Sequence, residues 1–360
     1  MEGGAIIGQG NYGCVFDPPL LCETAIEKRG KRERVVGKLS DEADAKDEII
    51  ASTILSEIKN ADEYFVLADS KSYCDNIVPL NKQPDKNGIK QCGAVKYSIF
   101  GNNDMVHYTM PFGGISIMRY FESQNRPFPV RKMITHILEG SALMTLNGYV
   151  HYDIHMGNIL IDSTKDYKPR FIDFGFSFSS YSIDNDTLDE RWKVYNPSYP
   201  AEPPEITVIT GLKNWHALNT TVLKVLKEKS PLKVAENSIG LSRNTQLKEF
   251  MKFWNTSVVC KKRDWVAFFR LYWPAFDAWG VGFIIMFIYS KAIFIKNVSD
   301  DWPVLSSQIK EVLRGLLRMD PRKRFDSIEA LNVFNPSSHV LSSSSGKAWL
   351  EQRALIREKI

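Results

Sequence analysis

The 360-residue sequence predicts an α+β protein of two lobes, an N-terminal antiparallel β-sheet lobe with one helix and a mainly α-helical C-terminal lobe. The length suits about two compact units at roughly 150 residues apiece. Short β-branched and aromatic runs crowd the N-terminal part, and helical spacing of apolar residues takes over after Pro111-Phe112-Gly113-Gly114. Strands first and helices afterwards is the layout of a sheet lobe joined to a helical one. The expected boundaries are 1–110 for the sheet lobe, 111–114 for the connection, 115–340 for the helical lobe and 341–360 for a C-terminal extension.

Strands are expected at 5–7, 14–16, 35–39, 64–67 and 106–110, separated by turns rich in glycine and charge. One helix interrupts them at 41–58. There Ile50, Ile54, Leu55 and Ile58 recur at helical spacing behind the acidic turn Asp41, Glu42, Asp44, with Ser40 as the N-cap. Further helices are expected at 115–123, 130–147, 222–229, 245–254, 277–289 and 308–318. The charged stretch 18–34, the stretch 70–101 and the Ser-rich stretch 337–345 read as solvated loops or insertions, and no internal repeat is visible.

Composition removes several classes. Hydrophobic residues at 44% and charged residues at 24% are ordinary globular usage, which excludes a disordered chain, a collagen-like fibre and a coiled-coil rod. A net charge of +4 is too small and too dispersed for a nucleic-acid or membrane surface, so neither partner is expected. The most apolar window, 279–295, contains Gly280, Gly282, Ser290 and Lys291 and reads as a buried core helix. Five widely spaced cysteines without a C-x-x-C pair, and a start lacking a secretory pattern, fit a reducing, cytoplasmic setting.

Phosphate chemistry is suggested at three places. Gly8-Gln9-Gly10-Asn11-Tyr12-Gly13 lets backbone N–H groups approach an anion that a Cβ would hold off. Between a strand and a helix such a loop serves a dinucleotide, and between two strands it covers ATP phosphates or is a plain hairpin. Here Val15 and Phe16 continue as strand. Lys38 on the next strand has an ammonium to offer α- and β-phosphates, with Glu48 or Glu57 to hold it. Glu48 is preferred because Ala51 and Leu55 share its helix face.

The strongest pattern is His151-Tyr152-Asp153-Ile154-His155-Met156-Gly157-Asn158, followed by Asp173-Phe174-Gly175. Phosphoryl transfer needs a carboxylate to take the attacking hydroxyl's proton and oxygen ligands for Mg²⁺, and Asp153, Asn158 and Asp173 supply that set. The apolar runs 158–161 and 170–172 place Asn158 and Asp173 at the two ends of one hairpin. A rival His-x-Asp-x-His transition-metal site would use His151, Asp153 and His155, but the chain offers nothing to complete it.

Taken in order, these residues resemble the protein-kinase signature set. Pro203-Pro204-Glu205 resembles the end of that family's activation segment, Asp277-Ala278-Trp279-Gly280-Val281-Gly282 the start of its buried helix, and Asp320-Pro321-Arg322-Lys323-Arg324 its late D-P-x-x-R. The resemblance implies a two-lobed ATP- and Mg²⁺-dependent kinase acting on Ser/Thr of protein substrates. It implies that Ile7, Gly8, Gln9, Gly10, Asn11, Tyr12, Gly13, Cys14 and Val15 cover the nucleotide, and that Val36 and Leu160 enclose the adenine. Met110 would be gatekeeper, Pro111 C=O and Gly113 N–H would meet the ring, and Lys38 with Glu48 would hold the phosphates. Asp153 would be the catalytic base, Asn158 and Asp173 the Mg²⁺ ligands, and Glu205 and Arg324 a buried pair.

The departures are informative. Tyr152 stands where the family usually has arginine, His155 where it usually has lysine, and an insert occupies 206–265. Without that arginine the activation segment, 173–205, is expected to be ordered by Phe176, Phe178, Trp192 and Tyr195 rather than by a phosphate. The Asp-x-His-x-Gly-Asn wording also resembles aminoglycoside and choline kinases, and a pseudokinase scaffold is the non-enzyme alternative. The opening Gly-Asn-Tyr-Gly-Cys-Val-Phe-x-Pro-Pro with Cys22 looks like divergent kinases of large DNA viruses, which would place the chain in host cytoplasm or virion.

Overall fold

The computed structural model describes residues 5–10, 13–23, 34–79, 82–83, 86–93, 105–122, 126–189, 194–294 and 301–358. The chain divides into two units, Met1–Gly114 with Arg170–Phe176, and Ile115–Pro169 with Ser177–Ile360.

In the first unit, strands β1 (Ala5–Gly10), β2 (Gly13–Asp17), β3 (Val35–Asp41) and β4 (Met105–Pro111) form one antiparallel sheet in the order β1-β2-β3-β4. The turn between β1 and β2 is therefore flanked by strands on both sides, with Gly10 opposite Gly13. Period-two alternation sorts the faces. Cys14, Phe16 and Leu39 join Leu20, Ile89 and Cys92 in one core cluster. Val36, Val106, Tyr108 and Met110 join Ala45 and Val66 in another, with Val15 packed beside it. Lys38 lies opposite both Val15 and Tyr108 and shares their face.

Helix α1 (Glu42–Ser56) covers that second face, but not as its isoleucines suggest. Ile50 and Ile54 are exposed, and the buried side is Ala45, Glu48, Ala51, Ser52 and Leu55. Small residues let the helix approach the sheet closely, and the isoleucines merely fill its outer side. The N-cap is Asp41, whose carboxylate accepts the Ala43 N–H, rather than Ser40. Nor is 64–67 a strand. Tyr64 ends the short helix Ala61–Tyr64, and Phe65 makes one isolated parallel bridge to Phe171.

Four of the five cysteines are bridged, Cys14 to Cys92 and Cys22 to Cys74, across separations of 78 and 52 residues. Odd count and wide spacing gave no sign of this, because the pairing depends on how 70–93 folds back over the sheet. Cys74 is bridged to His107 of β4 backbone to backbone, and Cys22 likewise to Ile77.

The second unit is helical, with two small antiparallel pairings, Ile115–Ser116 against Ile159–Ile161 and Tyr149–Val150 against Phe178–Ser179. Its centre is the helix Phe276–Ala292, buried on nearly every side, with Val130–Leu146 and Trp302–Leu316 among its neighbours. The stretch Trp265–Ala292 is long and apolar enough to cross a membrane, yet 72% of its most apolar window is buried inside the protein. The insert folds into the helices Leu218–Glu228, Ser230–Ile239, Arg243–Thr256 and Val258–Lys262. The expected helix at 115–123 is a two-residue strand followed by the short helix Ile117–Tyr120.

The Ser-rich stretch 337–345, expected as a loop, belongs to helices His339–Ser342 and Ser344–Arg357. Its serines work as caps: Ser338 and Ser343 accept the Val340 and Gly346 N–H groups. The second helix then brings Trp349, Arg353 and Arg357 onto Asp326 and Glu329.

Candidate active site

Within the first unit three charged side chains converge. Lys38 Nζ lies 2.5 Å from Glu48 Oε2 and 3.0 Å from Asp173 Oδ1, and the Tyr108 hydroxyl donates to Glu48 Oε2 at 2.7 Å. Glu48, not Glu57, is the partner. Burial alone would lower the Lys38 pKa, but the charges of Glu48 and Asp173 outweigh it and hold the ammonium well above its ordinary value. Burial pushes the Tyr108 phenol well up as well, so it stays a donor. Asp173 sits in the left-handed region at φ 67, a conformation that costs free energy for a non-glycine residue.

The glycine turn belongs to the same unit. A Cβ on Gly13 would stand 2.3 Å from the Leu39 carbonyl, so this glycine is demanded by strand packing. At Gly10 a Cβ would meet nothing within 4 Å, and at Gly8 only the Val15 side chain at ordinary contact distance. Those two glycines answer no internal clash and leave room beside the backbone for an anion. On β1, Ile7 precedes Gly8 and Gln9 lies between the two glycines, and Asn11 and Tyr12 fall outside the described residues. The Cys14 side chain is bonded to Cys92 on the opposite face, so only its backbone belongs with Val15. Val36 is opposite Met110 and Val35 opposite Pro111, which ends β4, with Gly113 buried just beyond.

The second unit holds the other residues. The Asp277 carboxylate accepts the backbone N–H groups of His151 at 2.7 Å and Tyr152 at 2.8 Å, and so fixes a turn in which Tyr152 has φ 68. Burial pushes the Asp277 carboxyl up from its ordinary value, opposed by those two donors and by His151. Asp153 accepts from the Tyr199 hydroxyl at Oδ1, 2.7 Å, and from Asn158 Nδ2 at Oδ2, 3.2 Å, with His155 Nε2 3.5 Å from Oδ2. Burial would raise the Asp153 carboxyl, but hydrogen bonds from His155 and Tyr199 hold it below the ordinary carboxylate value. His155 Nδ1 accepts the Gly157 N–H at 2.9 Å, which puts the hydrogen of a neutral ring on Nε2, toward Asp153. Leu160 is half-buried on its strand, opposite Ser116.

Each unit, taken by itself, offers oxygen atoms of the kind magnesium takes. Asn158 commits its amide nitrogen to Asp153, which leaves its oxygen as ligand atom, and Asp173 commits Oδ1 to Lys38, which leaves Oδ2. Among the described residues no group of three or more His, Cys, Asp or Glu side chains gathers to hold a transition metal. His151 and His155 turn their Nδ1 atoms toward the backbone N–H groups of Asp153 and Gly157 instead.

The Glu205–Arg324 pair is bidentate and fully buried, at 2.7 and 2.8 Å. Tyr152, in the arginine's place, packs its ring against Phe178, Phe269 and Phe276. Of the aromatic residues expected to order the segment, Phe178 packs on Tyr152 and Phe269. Tyr195 packs on His216, and Trp192 lies outside the described residues. Sequence reasoning missed Tyr108, Tyr199 and Lys229. Nothing distinguishes Lys229 from its neighbours Lys224 and Lys227, and Tyr199 touches Asp153 only because the chain folds back over 46 positions.

The family model described as Protein kinase domain matches residues 1–334. The chain therefore belongs to the protein kinase family, as a phosphotransferase of the protein-kinase type whose family acts on proteins. A search among curated proteins found no match.

Proposed function

We propose that this kinase transfers the γ-phosphate of Mg-ATP to Ser or Thr hydroxyls of protein substrates. The observation that carries the reading is the Lys38–Glu48–Asp173 set, a buried cation held by two carboxylates beside a glycine turn with open space at Gly8 and Gly10. Lys38 would hold the α- and β-phosphates, Asn158 and Asp173 would be the residues to hold Mg²⁺, and the ion would supply charge neutralisation for the transferring phosphoryl group. Asp153 takes the proton of the attacking hydroxyl while the new O–P bond forms and the bond to ADP breaks. The Tyr199 phenol already lies against Asp153, and a short Ser or Thr side chain needs less room there than a second phenol.

Lysine, its glutamate, base and both metal ligands are all present, and this favours an enzyme over a pseudokinase scaffold. The test is transfer of label from radiolabelled ATP to a generic basic protein, an aminoglycoside and choline, followed by analysis of the phosphorylated amino acid. Phosphoserine or phosphothreonine is the expected product. Label on the small molecules alone, or no transfer at all, overturns the reading.

A further inference from the structure

Residues 197–204 include four prolines, Pro197, Pro200, Pro203 and Pro204. Each removes a backbone donor, so this end of the segment orders itself only in part, through the Ser198 N–H on Asn196 Oδ1 at 3.1 Å and the Tyr199 N–H on the Asn196 carbonyl at 3.2 Å. Its carbonyls are held from outside. Lys229, fully buried at the end of the insert's Leu218–Glu228 helix, donates to the carbonyls of Tyr199 at 2.6 Å and Glu202 at 3.0 Å. Trp279 Nε1 donates to the carbonyl between them, Pro200, at 3.0 Å. At the opposite end of the segment Arg270 gives two hydrogen bonds, 3.1 and 2.7 Å, to the Ile183 carbonyl. The side chain thus fixed, Tyr199, is the one whose hydroxyl reaches Asp153 Oδ1.

We infer that the insert is a built-in clamp for the activation segment, and that Lys229 and Tyr199 are positioning residues which set the orientation of the Asp153 carboxylate. The inference rests on the kinase reading above and adds a role for the insert. A lysine ammonium supplies without modification the kind of charge-assisted hydrogen bonds that a phosphorylated segment acquires only after it. With Oδ1 taken by Tyr199, Oδ2 is the oxygen turned to the substrate hydroxyl, because its own donors stand farther off at 3.2 and 3.5 Å. Enclosure of Lys229 is tight enough that burial lowers its pKa to about 8, against the pull of Glu202 and Glu205. Glu202, half-buried beside it, accepts the Thr207 hydroxyl at 2.6 Å, so its carboxylate has a hydrogen-bond partner.

The experiment uses the full chain, before and after phosphatase treatment, with Tyr199→Phe, Lys229→Met and the exposed neighbour Lys227→Met as control. Wild type keeps its kcat after phosphatase treatment. Tyr199→Phe loses about tenfold in kcat with the KM for ATP and the melting temperature unchanged, as expected for one hydrogen bond to a charged group. Lys229→Met lowers kcat about as much, and the double variant loses little more, since both act through one carboxylate. Hydrogen exchange at the amides of Ser198, Tyr199, Ala201 and Glu202 speeds up in Lys229→Met and not in Lys227→Met, a readout that needs no catalysis. An inactive wild type with accelerated exchange in Lys229→Met sinks the kinase reading and keeps the clamp. Unchanged exchange in Lys229→Met, a full kcat in Tyr199→Phe, or fully additive losses overturn the clamp.

Discussion

The two units solve the problem of a stable interior differently. In the sheet unit the links between distant segments are covalent or uncharged: two disulfides tie β2 and the chain after it to 70–93, and His107 is buried beneath them. Among its described residues the buried Lys38 ammonium is held by Glu48 and Asp173. In the helical unit distant segments are joined by buried charge: Glu205 with Arg324, Lys229 with backbone carbonyls, and Asp326 and Glu329 with Arg353 and Arg357. Burying an ion pair is costly unless geometry and hydrogen bonds compensate. Among the described residues of the sheet unit, buried charge is confined to that set and to Arg170, which donates to the Phe112 carbonyl, so the set points to chemistry. Where buried charge recurs, most of it holds segments together.

Substitutions at the two halves of the candidate site should separate sharply. Asp153→Asn removes a proton acceptor and no phosphate contact, so transfer should fall by about 10²–10⁴-fold with nucleotide affinity nearly intact. Lys38→Met, in the other unit, should also abolish transfer but raise the dissociation constant for ATP. Calorimetric titration of nucleotide against both variants checks the contrast, and equal loss of binding in the two would show that Asp153 is structural.

The Glu205–Arg324 link is the next largest effect. Arg324 also donates to the carbonyls of Arg318 at 2.8 Å and Ala275 at 3.1 Å, so one side chain fastens three segments. Arg324→Ala leaves a carboxylate buried without its cation, at a cost of about 3–5 kcal/mol, and should lower the melting temperature with the activity. Adding Glu205→Gln should cost much less than its effect alone. Two fully additive losses in denaturant titration would mean that the pair does not act as a unit.

The contrast also explains what was legible in the sequence. Local chemistry was: the glycine turn between strands, Lys38 on β3, and Glu48 as the preferred partner over Glu57, a choice the structure makes. The two-lobed α+β layout was legible because the switch from period two to helical spacing is local as well. Long-range pairing was not. The cysteines close separations of 78 and 52 residues, and no spacing rule specifies such partners. Lys229 follows Lys224 and Lys227 on a helix expected from local spacing, yet it is fully buried because the Tyr199 and Glu202 carbonyls accept its ammonium, a pairing no local pattern specifies. Ile50 and Ile54 misled in the opposite sense, since a helix lying close to a sheet buries its alanines and leaves its large residues outside.

Reducing agent should act on one unit only. Each disulfide closes a long loop, and its loss should cost roughly 2–4 kcal/mol of sheet-unit stability. Cys260, the free cysteine, is buried, and burial pushes its thiol up to about 11, so it offers little thiolate for exchange. Hydrogen exchange read peptide by peptide should show faster opening of β1 to β4 in reductant and unchanged protection in the Val130–Leu146 helix. Parallel loosening of both would contradict the division.

Acid should sharpen the difference with a smaller effect. His107 is fully buried, accepts the Leu20 N–H at Nε2, and has its pKa lowered by burial from 6.5 to about 4. Above pH 6.5 the ring is neutral whether the chain is folded or not, and its stabilising contribution is complete. As pH falls from 6.5 toward 4, the unfolded chain takes up a proton that the folded one refuses, so stability drops, by about 3 kcal/mol at most. In the helical unit the carboxyls of half-buried Glu202 and buried Asp277 are shifted upward by desolvation, so there the folded state binds protons first and the same acidification works the other way. The sheet unit should therefore lose exchange protection between pH 6.5 and 4 before the helical unit does. His107→Gln keeps an acceptor for the Leu20 N–H and cannot titrate, so its sheet unit should stay flat over that window. A sheet unit that still loosens in His107→Gln would assign the acid response to a different group.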